Sequence, residues 1–334
     1  MSKLTFAIIG CRHFHIQDFI KEMLDMGHHC SGIYEDRNIH LRTKISDKFQ
    51  LPIFNRLEDL FTEDLDIVGC ASKNSEKITI VELCEKHGIN IMVDKPIITS
   101  DEGYERLKSV IEREKIQVGL MLTERFQPIF MTLKNMIQTE CFGEITHISM
   151  RKPHRLSKES REEWFFEKNL SGGIIIDLCI HDFDLLRWLT NKEITTLQGY
   201  MTKNFLNEYP DFYDTASLHV LLDDELPVQL YVDWHTPSAS WTWGDGRVFI
   251  TGTKGCAELR LQGDPFISNE SLLLFTSHEQ KTQLIECPKS SLNVSNDFIA
   301  RTKGEDCSIT HEDILKASKL TLEADRLVAK KQNS

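Results

Sequence analysis

The stretch Leu4-Thr5-Phe6-Ala7-Ile8-Ile9-Gly10-Cys11-Arg12-His13-Phe14-His15 joins an apolar run to a glycine and then to a helical pattern from about residue 15. Strand, glycine and helix in that order begin a βαβ unit, whose turn brings a phosphate to the N-terminus of the helix. A full dinucleotide turn carries three glycines. Here only Gly10 remains, and Arg12 and His15 hold the second and third positions. The expectation is that Gly10 makes the tight turn, while Arg12 meets the phosphate through a charge-assisted contact with His13 beside it. His13 and His15 read as loop and helix-cap residues rather than metal ligands, and no metal site is read from the sequence.

The alternation continues to residue 122. Apolar runs at Leu4–Ile9, Cys30–Tyr34, Asp66–Ala71, Ile89–Val93 and Ile116–Met121 are separated by helical patterns around 15–26, 39–49, 75–87 and 101–114. Uninterrupted apolar strands between helices indicate a parallel sheet covered on both faces, hence a doubly wound Rossmann domain over 1–122. In such a sheet the ligand lies outside the carboxyl ends of the strands. Three features fall there. Glu35, at the end of the second run, is placed to accept from adenosine ribose hydroxyls and to repel a 2′-phosphate. It favours NAD, and nearby Arg37 keeps NADP as the alternative. Val93-Asp94-Lys95-Pro96 closes the fourth run and sets Lys95 beside a nicotinamide. Ser72 and Asn74 follow the third.

From residue 123 the grammar changes, and 123–334 reads as a second, α+β domain on an open mixed, mostly antiparallel sheet. A helix near 128–139 and a strand at 144–152 precede the segment Gly172-Gly173-Ile-Ile-Ile-Asp177-Leu-Cys-Ile-His181-Asp-Phe-Asp184. As a helix over Gly172–Leu189 it aligns Asp177, His181 and Asp184 in one polar row, because residues three and four apart share a face. A histidine beside a carboxylate on an apolar face makes a general base near neutral pH. Strands follow, among them Ala216–Leu222, Val228–Trp234, Arg247–Gly252 and Ser271–Phe275. Two helices close the chain, the last starting at the capping signal Thr310-x-x-Asp313 and expected to return to the N-terminal domain.

Composition narrows the function. The 334 residues (38.6 kDa) exceed one ordinary core. A net charge of −12 without a Lys/Arg cluster excludes nucleic acid and anionic membranes as partners. Nine cysteines without a C-x-x-C read as reduced thiols. The apolar run begins at Leu4, which leaves no room for a signal peptide, and the protein is expected in the cytoplasm.

Together these motifs resemble the Gfo/Idh/MocA family of NAD(P)-dependent oxidoreductases, over nearly the whole chain. The family's Glu-Lys-Pro stands as Asp94-Lys95-Pro96, its Arg-Phe-x-Pro as Arg125-Phe126-Gln127-Pro128, and its Gly-Thr-x-Gly turn as Gly252-Thr253-Lys254-Gly255. The Gly-Gly-x3-Asp-x3-His-x2-Asp motif is intact at 172–184, and Asn74 matches the asparagine after the third strand run. Departures are the eroded glycine loop, Lys73 in place of proline and Lys77 in place of histidine. The resemblance implies hydride transfer between a nicotinamide and a carbinol or carbonyl carbon of a sugar, sugar acid or cyclic polyol lying between the domains. His181 takes the hydroxyl proton, Asp177 orients it, and Lys95 bonds the reacting oxygen. Gly10, Arg12, His13, Glu35, Ser72, Asn74, Asp94 and Lys95 would hold the cofactor. Arg125, Arg151, His154 and Asp184 are substrate-side candidates, and Arg155 adds to a basic group that hints at an acidic or polyhydroxylated substrate. A homodimer or homotetramer is implied. Two rivals share the fold: a glycoside hydrolase that uses NAD transiently, and a non-catalytic ligand sensor.

Overall fold

The apolar run at the start of the chain forms β1 (Thr5–Ile9), buried at every residue after Thr5. It is followed by α1 (His15–Asp25), β2 (His29–Tyr34), α2 (Ile39–Phe49), the single turn α3 (Leu57–Leu60), β3 (Ile67–Cys70), α4 (Lys77–His87), β4 (Asn90–Val93), α5 (Asp101–Glu112) and β5 (Val118–Leu120). The five strands are parallel in the order β2-β1-β3-β4-β5. Strand order therefore reverses between β1 and β3, which opens a crevice at their carboxyl ends. This is the doubly wound sheet expected from the strand–helix alternation.

The computed structural model describes residues 3–332 and divides into two compact units. The first runs to Thr123 and adds Asn169–Gly172 and Leu292–Lys319; the second holds Glu124–Lys168, Gly173–Ser291 and the chain from Leu320.

The second unit opens with α6 (Pro128–Gln138), where proline at the first helical turn costs no hydrogen bond, and continues through β6 (Ile145–Pro153). The short turn α7 (Lys168–Ser171) precedes α8 (Ile174–Thr190). β7 (Ile194–Lys203), β8 (Thr215–Leu222), β9 (Pro227–Asp233), β10 (Arg247–Gly252), β11 (Gly255–Arg260), β12 (Leu272–Ser277) and β13 (Gln283–Ile285) follow. After α9 (Val294–Thr302) and α10 (His311–Leu327), β14 (Ala329–Gln332) ends the description. Nine strands form one sheet, β13-β12-β11-β10-β6-β9-β8-β7-β14. It is mixed: β6 runs parallel to β9 and β14 parallel to β7, and the other neighbours are antiparallel. Ile148, Met150, Leu218, Val220, Val228, Leu230, Val248 and Ile250 point to one face and pack with Ile175, Leu178, Phe183 and Leu186 of α8. Alternate residues such as Tyr200 and Phe249 remain exposed on the other face. Thr310 caps α10 as its spacing predicts, accepting from the Asp313 N–H at 3.2 Å while Asp313 accepts from the Thr310 N–H at 2.9 Å. All nine cysteines are free; five are buried and Cys256 is exposed. No helix among the described residues is long and apolar enough to cross a membrane.

Candidate active site

At the β1–β3 crevice, Gly10 holds a positive φ of 76° and donates its N–H to the Tyr34 carbonyl at 2.8 Å. A Cβ at that position would lie 2.5 Å from both the backbone nitrogen and Oγ of Ser72, so only glycine lets the two loops meet. The Arg12 N–H bonds the Ala71 carbonyl at 2.9 Å, which ties the first loop to the third strand. The Arg12 side chain turns to Glu35, Nε to Oε2 at 3.1 Å and Nη2 to Oε1 at 2.8 Å. Both side chains are nearly buried, at 6% and 3% exposed. Glu35 Oε1 also accepts the N–H groups of Arg37 and Asn38, at 2.9 and 3.1 Å. Burial pushes the Glu35 carboxyl up, but the hydrogen bonds from Arg12 and these backbone groups hold it below its ordinary range. Sequence reading gave Arg12 and Glu35 separate tasks on one ligand; the structure joins them to each other.

A second cluster surrounds the end of β4. The Asp94 carboxylate, 1% exposed, has His15 Nδ1 2.8 Å and His13 Nδ1 3.1 Å from Oδ1. Lys77 Nζ lies 3.2 Å from Oδ2 and donates to the carbonyls of Asp94 at 2.9 Å and Lys95 at 3.2 Å. This fully buried lysine therefore clamps the backbone that carries Lys95. Burial opposes the Asp94 charge, yet the two histidines and the Lys77 ammonium hold its carboxyl well below the ordinary range. His13 is lowered to about 4, chiefly by burial. The donor atoms of His13, His15 and Asp94 lie within 4.8 Å of one another, close enough to share an ion. The Lys77 ammonium and the histidine hydrogen bonds already satisfy that carboxylate. Nearby, buried Asn74 donates from Nδ2 to the Ser171 carbonyl at 2.8 Å, and Ser72 Oγ donates to the Ile9 carbonyl at 3.3 Å.

In the second unit, Gly172 and Gly173, at φ 94° and 82°, turn the chain into α8. Asp177 and His181 lie one turn apart on this helix, Asp177 buried and His181 half-buried. Asp184 completes the row but is bound elsewhere: Arg125 grips it with Nε at 2.8 Å and Nη2 at 2.5 Å in a buried bidentate pair. The structure thus brings two substrate-side candidates to each other. Arg151 points to the exposed sheet face, its guanidinium 5.5 Å from the Tyr231 ring, whereas its neighbour Lys152 points inward. His154 Nδ1 lies 3.1 Å from the Lys152 carbonyl, and its ring meets Trp234 edge-on at 5.7 Å. Arg155 is tied by Nη2 to the carbonyls of Ser240 and Thr242.

Sequence reading missed two groups. Lys77 registered only as a departure from the family pattern. The ion triad of buried Lys152 and Asp182 with half-buried Glu124, the Asp182 bond at 2.7 Å, gave no signal because its members lie in three separate elements. Burial raises the Asp182 carboxyl to about 6 despite Lys152.

Residues 4–121 match the oxidoreductase family with an NAD-binding Rossmann fold, and residues 130–258 match the GFO/IDH/MocA C-terminal domain. Scyllo-inositol 2-dehydrogenase (NAD(+)) of Bacillus subtilis is 25% identical over 260 residues, 76% of this chain and 67% of that protein. Inositol 2-dehydrogenase of Rhizobium meliloti is 25% identical over 193 residues, 58% of this chain and 56% of the enzyme. A solved structure from Erwinia carotovora atroseptica, a candidate oxidoreductase, superposes with a TM-score of 0.88 at 24% identity, covering 98% of this chain and 99% of that one. Both halves of the chain match one family in register, so this protein belongs to the Gfo/Idh/MocA family of NAD-binding oxidoreductases.

Proposed function

We propose that this enzyme is an NAD-dependent dehydrogenase acting on a CH–OH carbon of a sugar, sugar acid or cyclic polyol. The observation that carries the reading is the Asp177–His181 pair on the first two turns of α8, a carboxylate and an imidazole one turn apart on a largely buried helix. The first unit fits a dinucleotide in two respects: the β1–β3 switch point, and the Gly10–Ser72 approach that admits no side chain. When bound, NAD supplies the hydride acceptor. The chain supplies the rest. His181 takes the hydroxyl proton, Asp177 fixes the imidazole and supports its positive charge, and Lys95 donates a hydrogen bond to the reacting oxygen. Gly10, Arg12, His13, Glu35, Ser72, Asn74 and Asp94 shape the cofactor site. In this division of labour residues 1–122 bind cofactor and 123–334 bind substrate. The exposed sheet face bearing Tyr200 and Phe249 supports assembly as a homodimer or homotetramer.

The test is NADH formation by purified protein with NAD and a panel of inositols, hexoses, alditols and sugar acids. Stoichiometric NADH with one class of substrate supports the reading. Glycoside cleavage without net NADH, or tight sugar binding without turnover, would replace it.

A further inference from the structure

Arg161 lies in the loop between β6 and α8, directly after a short 3₁₀ turn at Lys158–Ser160. Its guanidinium stacks 4.2 Å from the centroid of the Phe165 ring and lies 5.5 Å from that of Trp234. Those two buried rings meet edge-on at 5.6 Å and form a rigid wall. Nε donates to the Leu156 carbonyl at 3.2 Å, which fixes one edge of the fork. Among the described residues no acceptor meets its two Nη groups. Asp177 is near enough to act on Arg161 by charge: burial pulls the guanidinium pKa down and the Asp177 carboxylate pushes it back up. The surroundings also suit a ligand. Parallel β6 and β9 end at Pro153 and Asp233, and His154 and Trp234 follow them directly.

A half-buried guanidinium set against two aromatic rings, with Nε tied to a carbonyl and both Nη groups met by no acceptor among the described residues, keeps its outer edge available to an anion. Its two Nη groups present parallel N–H bonds at the spacing of the two oxygens of a carboxylate, a match that lysine cannot make. A protein of net charge −12 repels anions at long range, so an anionic substrate needs such a local cation.

We propose that Arg161 is the anchor for a carboxylate on the substrate, which makes the substrate a sugar-derived hydroxy acid, an aldonate or uronate, rather than a neutral polyol. The oxidation of that acid rests on the dehydrogenase reading above; its capture by Arg161 does not.

The experiment compares matched pairs, gluconate against sorbitol and glucuronate against glucose. Calorimetric binding with NAD present and NADH formation are measured in wild type, Arg161→Ala and Arg161→Lys. Wild type is expected to bind at least one acid about 10-fold or more tightly than its neutral counterpart. Arg161→Ala should weaken the acid about 100-fold and bring the acid-to-neutral ratio near one, with Arg161→Lys recovering only part because it lacks the fork. Equal or better binding of the neutral member by wild type, no binding of either acid, or an acid preference that survives in Arg161→Ala would overturn the proposal. The wild-type comparison decides even where a variant fails to fold. Acid capture through Arg161 without NADH would keep this site and remove the dehydrogenase reading. Oxidation of neutral polyols alone would do the reverse.

Discussion

Arg12 and Glu35, 23 residues apart, face each other as a buried, two-bonded ion pair beside the carboxyl ends of β1 and β2. The carboxylate expected to select the cofactor is thus also the structural partner of the arginine expected to meet its phosphates. Removing the arginine leaves the carboxylate buried with the Arg37 and Asn38 N–H groups in place of its ion-pair partner.

Arg12→Ala should therefore destabilise the protein by about 3 kcal/mol or more, the cost of breaking a buried pair from one side. Chemical denaturation of the two proteins at neutral pH checks it; a change under about 1 kcal/mol would mean that water replaces the guanidinium.

Cofactor preference should be NAD over NADP, with Glu35 as the cause. Glu35→Ser should narrow the ratio of the two dissociation constants and, because Glu35 Oε1 also holds the Arg37 and Asn38 N–H groups, lower the melting temperature. Equal affinities in wild type, unchanged in the variant, would confine Glu35 to holding the loop.

Lys95→Ala and His181→Ala should each lower turnover by about 100- to 10,000-fold, the range for a positioned acid–base group, with NAD affinity altered far less in His181→Ala. Lys77→Met tests the support beneath Lys95, since it frees two backbone carbonyls and leaves Asp94 without its ammonium. A loss of about 3 kcal/mol together with reduced kcat is expected. Full activity in a stable Lys77→Met protein would separate Lys95 from this clamp.

Acid should weaken the fold through His311. Its Nε2 accepts the Val118 N–H at 3.1 Å, and burial, with help from Arg301, lowers it to about 4. An unfolded histidine takes its proton near 6.5. Between these values the unfolded chain binds the extra proton, so stability is present above pH 6.5 and lost as pH falls toward 4. At pH 5 the loss is about 2 kcal/mol. Urea midpoints at pH 7 and pH 5 in wild type and His311→Gln check the sign; the variant should lose less on acidification.

What could be read in advance follows from the range of the interactions. The β1–α1 turn, the strand ends at Glu35 and Lys95, the α8 row and the Thr310 cap all depend on neighbours within a few residues, so spacing alone reveals them. Arg125 with Asp184, His15 with Asp94 and Lys152 with Asp182 are set by folding, and no periodicity marks which distant charge each will meet. Arg161 shows the same limit, standing in a loop of lysines and glutamates that reads as ordinary surface. The short strand β14 escaped notice because four residues carry too little alternation to register.

The parallel pairing of β14 with β7 has a practical corollary for anyone trimming or tagging the chain. β14 is the outermost strand on that side of the sheet, and its Lys330 and Lys331 are exposed there. Charged side chains along such a border discourage a second molecule from adding its own strand. Cutting the chain after Leu327 would strip this cover and present the bare hydrogen-bonding groups of β7, beside exposed Tyr200, to any neighbour. A shortened protein should then self-associate and precipitate at concentrations where the longer one stays dispersed, and light scattering of the two side by side would show it.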